Sequence, residues 1–252
     1  MAAVSPPVFL FTDFGAEGPY LAQLEAAVLG EAPTARVMNL LSNAPTTNPR
    51  AAAYLLAALA SVLPRPALLL GVVDPGVGTE RQPLWLEADG LTLIGPDNGL
   101  LVRAAAVAPA VQAWRIDWRP ERLSLSFHGR NLFAPVAGKI LSGRPVARSR
   151  LDPAGLIGAD WPEQLAEIVY LDHYGNAYTG LRGDRMAPAT VLRCAGRDIR
   201  HASVFAAAPP ATPFWYVNSC GLVEIAVNRD RADRLLGLAV GDGVEPVGGI
   251  DH

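Results

Sequence analysis

The chain has 252 residues, half of them hydrophobic and 18% charged, with a formal net charge of -3 and an isoelectric point near 5.8. That balance excludes a disordered segment, and it offers no basic stripe to neutralise phosphates, so nucleic acid is not an expected partner. Two cysteines, Cys194 and Cys220, stand in no metal-binding spacing and read as free thiols in a reducing cytoplasm. The opening MAAVSPPVFLFTDFG lacks a cationic start, and the longest apolar region, Ala51 to Leu63, falls short of the ~20 residues that span a bilayer, so neither export nor a membrane is expected.

In chain order, VFLF (8 to 11) reads as a buried strand, YLAQLEAAVLG (20 to 30) as a helix stopped by Gly30, and RVMNLL (36 to 41) as a second strand. Asn48 followed by Pro49 marks a helix start that runs through RAAAYLLAALASVL and ends before Pro64. ALLLGVV (67 to 73), apolar throughout, suits a central strand covered on both faces. LWLEADGLTLIG (84 to 95) reads as a hairpin turning at Asp89-Gly90, which makes the sheet mixed rather than wholly parallel. GLLVRAAAV then predicts a helix, VQAWRID a strand, and NLFAPVAGKILSG a helix that tolerates Pro135 only in its first turn.

From 144 to 163 the composition turns to Pro, Gly and charge without periodicity, as in a crossing between domains. Beyond 165, three stretches of short strands carry internal reversals: AEIVYLDHYGNAYTGL, ATVLRCAGRDIRHASVF and FWYVNSCGLVEIAVN. With one short helix in DRADRLLGL, these suggest a small barrel or sandwich. The expected fold class is α/β: a Rossmann-like mixed-sheet domain over 1–150, a linker over 151–162, and a β domain over 163–252.

Polar residues gather in three loops that the apolar pattern does not call for: Thr12-Asp13, Asp74 to Arg81, and Ser126 to Asn131. Ligands of open α/β sheets bind beyond the carboxyl ends of the strands, where these loops can converge. Asp13 suits a ribose diol or equally a turn or helix cap; Asp74 suits a site or a turn opening before Pro75. Arg81 and His128 taken singly fit a surface arginine and an ordinary hydrogen-bonded histidine as well as catalytic groups. No H-E-x-x-H, dinucleotide glycine motif, P-loop or G-x-S-x-G elbow is present, so a metal site, nicotinamide, ATP and serine-esterase chemistry all lack their signatures.

TDFG (12 to 15), VVDPGVGTER (72 to 81), GPDNGLL (95 to 101), FHGRNLFAP (127 to 135), Gly175-Asn176 and NSCGLVEIAVN (218 to 228) together resemble the S-adenosyl-L-methionine (SAM) hydrolases. These are the SAM hydroxide adenosyltransferases, relatives of the fluorinase and chlorinase enzymes. The resemblance implies an N-terminal α/β domain, a C-terminal β-barrel domain, and a homotrimer with active sites at subunit interfaces. It implies hydrolysis of SAM to adenosine and methionine without a cofactor, with Asp74, Arg81 and His128 preparing water to attack the ribose C5′. Halogenating relatives replace the aspartate by an aromatic residue or glycine and lack the His-Gly pair, so Asp74 and His128-Gly129 point to water.

By the same resemblance Asp13 binds the ribose, Asn176 contacts the nucleoside, and Asn218-Ser219 hold the methionine end. Phe127, beside His128 and Gly129, lines the C5′ pocket or simply packs, and Trp215 and Phe205 either face adenine or fill the core. The chain departs from the family at Gly18, Asn43, Asn131 and Gly180, where an acid, His, Asp and Asn are usual. Those departures bear on affinity more than on reaction type. They also keep two alternatives in view: a halide adenosyltransferase and a non-catalytic adenosine- or SAM-binding protein.

Overall fold

The first apolar run forms β1 (Val8–Thr12), buried at every position, as a central strand with both faces covered must be. The computed structural model describes residues 5–247, and the chain divides after Trp161 into two units with separate sheets. In the first unit β1 lies between β2 (Val37–Leu41) and β3 (Ala67–Val72), parallel to both. Next come β5 (Leu91–Pro96), β4 (Pro83–Ala88), β6 (Val111–Ile116) and β7 (Arg148–Leu151). The β3–β5 pair is parallel, whereas β5–β4, β4–β6 and β6–β7 are antiparallel. The hairpin turns at Asp89 and Gly90, both with positive φ (46° and 72°), the twist that short hairpins need.

Helices α1 (Tyr20–Glu31) and α4 (Ala134–Leu141) share a core with β1 and β3 through Leu24, Val28, Val136, Leu10 and Leu70. Each such side chain contributes ~1.5–3 kcal/mol on burial. Helix α2 (Pro49–Ser61) starts as its sequence requires: the Asn48 side chain accepts a hydrogen bond from the Ala51 N–H at 3.0 Å, with Pro49 at the first position. Helix α3 (Val102–Ala105) is a single turn, shorter than its pattern suggests.

Two sequence expectations are corrected here. Gly30 does not stop α1: it lacks the positive φ that a glycine stop requires, and the helix runs to Glu31, closing with Ala32 N–H on Val28 O. The aperiodic stretch after 144 contains β7, whose polar side chains suit a sheet edge. Residues expected as a linker also pack with the first unit, where Ile157 N–H donates to Asp97 and the ring of Trp161 sits against Gly99.

The second unit forms a sheet of seven strands in the order β14-β10-β11-β12-β13-β9-β8. In chain order these are β8 (Leu165–Leu171), β9 (Ala177–Arg182), β10 (Val191–Cys194), β11 (Arg197–His201), β12 (Pro213–Val217), β13 (Leu222–Val227) and β14 (Glu245–Val247). Residues 241–244, just before β14, hydrogen-bond to β8 at the opposite edge, so the sheet curls into a half-barrel. A short α-helix, α5 (Ala232–Leu236), closes over its core of Ile168, Leu192, Ile199, Trp215, Val223 and Ile225. Gly180 has a packing reason to depart from asparagine: a Cβ there would lie 2.6 Å from both the Cβ and the carbonyl oxygen of Leu165 on the paired strand.

Candidate active site

Strands β1 and β3 run side by side with Thr12 opposite Val72, so Asp13 and Asp74 leave the sheet at the same edge, one and two residues beyond the paired positions. The loop after β3 folds back through Gly78 (φ +83°), where a Cβ would fall 2.5 Å from the carbonyl oxygen of Leu125. This glycine lets the 74–81 loop and the 124–128 segment meet backbone to backbone. His128 then precedes a single π turn, Gly129–Phe133, that leads into α4. Insertions of that kind re-aim side chains and recur at functional sites.

Asp74, Arg81 and His128 line one cavity of about 160 Å³, together with Thr79, Glu80 and Arg119. Asp74 and His128 also line a neighbouring cavity of about 120 Å³ with Asp13, Phe127 and Gly129. Asp74 is 7% exposed in its side chain, and its Oδ1 accepts from the Arg81 guanidinium and from Gly76 N–H. A wider cleft of about 570 Å³ adds Tyr20, Gln23 and Arg130 to Asp13 and Phe127. Phe127 does not enter the core; it meets Phe14 and Tyr20 edge-on at 5.5 and 5.7 Å, half-buried, with the Arg130 guanidinium 5.2 Å from its ring centre. Asp13 caps no helix: its Oδ2 accepts from Thr47 N–H at 3.0 Å, while Pro19 stands at the N-cap of α1, which has no side-chain cap.

The electrostatics favour a neutral His128. Burial, then the charges of Arg119 and Arg81, hold its imidazole below the ordinary histidine range, and its Nε2 is buried without a hydrogen-bond partner. A buried imidazole nitrogen without a partner is uncommon in a folded interior and recurs where a residue has a catalytic role. Burial also lowers the Arg81 guanidinium, opposed by the nearby Asp97, and raises the Asp97 carboxyl. Asn98 ties the loop to the sheet by donating to Val73 O at 2.8 Å, directly before Asp74.

Gly76 gives a separable test of this geometry. A Cβ at residue 76 would lie 1.6 Å from Arg81 Nη2. The arginine tip can swing away at little cost in stability, but then leaves Asp74. Gly76→Ala is expected to keep a wild-type thermal midpoint while moving the Arg81 guanidinium off Asp74, which a crystal structure of the variant checks; Arg81 in its wild-type position would show that the loop yields instead.

The remaining candidates fall in the second unit. Asn176, Asn218 and Ser219 line a cavity of about 680 Å³ together with Tyr178, Tyr216, Asp172 and Glu224. Trp215 is core, 1% exposed, with Nε1 donating to Thr190 O. Of the departures, Asn131 accepts two hydrogen bonds from Arg130, while Gly18 and Asn43 are exposed. Sequence reasoning missed Arg119, Asn98, Tyr178, Tyr216 and Glu224. The signal for Glu224 was present, a lone acid inside the apolar strand LVEIAV.

Fold and site together define a two-domain α/β protein with a polar, carboxylate-bearing pocket at the strand ends of its first sheet. Residues 8–150 match the SAM hydroxide adenosyltransferase N-terminal domain and residues 166–245 match the C-terminal domain. The chain belongs to the SAM hydroxide adenosyltransferase family. It is 37% identical to the (R)-S-adenosyl-L-methionine hydrolase of Salinispora arenicola, over 95% of this chain and 97% of that one. It is 34% identical to the enzyme of that name from Thermus thermophilus, over 93% and 97%. Among solved structures, an uncharacterized conserved protein from Thermotoga maritima superposes with a TM-score of 0.83 at 25% identity, covering 95% of this chain and 99% of that one. A conserved hypothetical protein from Thermus thermophilus gives 0.78 at 33%, covering 96% and 100%.

Proposed function

We propose that this enzyme hydrolyses S-adenosyl-L-methionine to adenosine and L-methionine. The observation that carries the reading is the shared cavity of Asp74, Arg81 and His128, in a chain whose curated relatives bear that activity in their names. Water attacks the ribose C5′, the C5′–sulfonium bond breaks with its electrons going to sulfur, and methionine leaves as a neutral thioether without protonation. The difficulty lies in the nucleophile, since water is weak at neutral pH. Neutral His128 accepts the water proton, Arg81 stabilises developing hydroxide, and Asp74 holds Arg81 in place. Asp13 binds the ribose, Phe127 and Gly129 border C5′, and Asn176, Asn218 and Ser219 serve the nucleoside and the methionine end. The reaction calls for no cofactor.

A Rossmann-like first domain and a barrel-like second domain are part of this reading, supported by the parallel block β2-β1-β3-β5 and by the bonds from residues 241–244 to β8. So are a homotrimer with sites completed across subunits, testable by light scattering, and a cytoplasmic location. Among the described residues no helix is long and apolar enough to cross a membrane.

Reaction in water carrying heavy oxygen tests the chemistry: label is expected in the 5′ hydroxyl of adenosine. A halogenated nucleoside in chloride buffer would move the assignment to halide transfer, and unchanged SAM to a binding protein. The pH profile gives a second check. His128 must be neutral to act, and its proton affinity is lowered, so kcat/KM should fall on acidification with a midpoint below the ordinary imidazole value of about 6.5. Arg119→Gln should move that midpoint up, and a midpoint above 6.5 in the wild type would remove His128 as the base.

A further inference from the structure

Glu224 is a buried carboxyl that the reaction above does not use. It is 1% exposed in the middle of β13. Its Oε1 accepts from the Tyr216 hydroxyl at 2.6 Å, and its Oε2 from Asn218 Nδ2 at 2.9 Å. Asn176 lies close enough to share the same carboxylate, and its Nδ2 also donates to Asp172 at 3.2 Å. The carboxyl is raised above its ordinary range by burial, opposed by the bonds from Tyr216 and Asn218 and reinforced by Asp172. Burying a carboxylate is costly unless its partners are fixed, and here the partners are two of the residues proposed to meet the substrate.

An asparagine amide can turn over and exchange donor for acceptor; its neighbours decide which it presents. Asn218 is fixed in one orientation: Nδ2 donates to Glu224 at 2.9 Å, while Oδ1 accepts from Cys220 N–H at 3.1 Å and Leu222 N–H at 3.0 Å. With its carbonyl oxygen spent on its own turn, it can offer a ligand only the second Nδ2 hydrogen. Asn176 has its amide hydrogens drawn toward two carboxylates, which leaves Oδ1 as the atom it can offer to a donor on the substrate.

We infer that Glu224 is the positioning residue of the second unit's pocket, orienting the amides of Asn176 and Asn218 so that Asn176 meets the nucleoside through its carbonyl oxygen. The inference rests on the proposed hydrolase reading. A carboxylate can do this because it only accepts, at several lone pairs, from all three side chains at once. Glutamine in its place has one oxygen and an NH2 that itself needs an acceptor. The Tyr216 hydroxyl can reverse to accept, but Asn218 cannot, so Asn176 loses one of its two carboxylate partners and is held by Asp172 alone.

The test is Glu224→Gln against the wild type, reading kcat and KM for SAM and the Kd of adenosine by calorimetry. The expected result is a folded variant with kcat nearly unchanged, and KM and adenosine Kd raised about tenfold, the scale of one misdirected hydrogen bond. Asn176→Ala should weaken adenosine binding alone, yet add little in the Glu224→Gln background. Wild-type affinity in Glu224→Gln, additive losses in the double variant, or a kcat that falls with KM unchanged would overturn the inference. So would failure of the variant to fold, which would make Glu224 a folding residue. A wild-type protein that neither cleaves SAM nor binds adenosine would instead sink the hydrolase reading.

Discussion

Asp74→Ala is expected to cut kcat for SAM cleavage by about 10²–10⁴-fold, the range of a lost general acid-base arrangement, with His128→Ala alike. Substrate Kd should stay within about threefold, because neither residue is proposed to hold the nucleoside or the methionine end. Asp74 Oδ1 is the acceptor that keeps the Arg81 guanidinium in the loop, and the pair is largely shielded from solvent. Without it Arg81 loses the partner that keeps it on the cavity wall. Without His128 the proposed proton acceptor for the water is gone. Rapid-mix single-turnover kinetics with a parallel binding titration checks both halves. Affinity and turnover falling together would make these residues substrate ligands and remove the water-activation role.

The second large effect is on stability. Gly95 lies in β5 beside β3, and a Cβ there would sit 2.2 Å from the carbonyl oxygen of Gly71 and 3.3 Å from the Leu101 side chain. Backbone cannot swing aside as the Arg81 tip can at Gly76. Gly95→Ala therefore forces β3 and β5 apart in the centre of the sheet, at about 3 kcal/mol, the upper end of overpacking penalties. For a chain of this size that lowers the thermal midpoint by roughly 6–12 °C, measurable by calorimetry. A midpoint within about 1 °C of wild type would mean that the two strands have slack absent from the structure.

Much of this molecule can be read from its residues. The uninterrupted apolarity of Val8 to Phe11 and Ala67 to Val73 marked two central strands, and the Asn48-Pro49 start and Asp89-Gly90 turn carried their own local chemistry. What escaped was whatever depends on a distant partner. β7 has no hydrophobic period because it is an edge strand, held by backbone bonds to β6 that any side chains permit. Gly30 offered a stop that tertiary packing of α1 against α4 did not use, since Gly138 brings the two helices so close that a Cβ would lie 2.7 Å from Val28 O.

The site divides in the same way. Asp74, Arg81 and His128 were legible because they interrupt apolar context in compact strings, and the structure lines one cavity with them. Asn218 was legible as a residue of interest, but not as one whose carbonyl oxygen is consumed within its own turn. Arg119 lies in a segment without periodicity, and only the fold brings it to the cavity that holds His128.

Asp13 and Asp74 hang just past the last rung of the ladder that joins β1 to β3. The identity of either side chain can therefore be rewritten without breaking a single rung beneath it, whereas adding one residue to either strand would swing its acid to the other side of the sheet. Evolution along this scaffold should accordingly proceed by exchanging letters at fixed positions, leaving strand lengths frozen while the nucleophile changes.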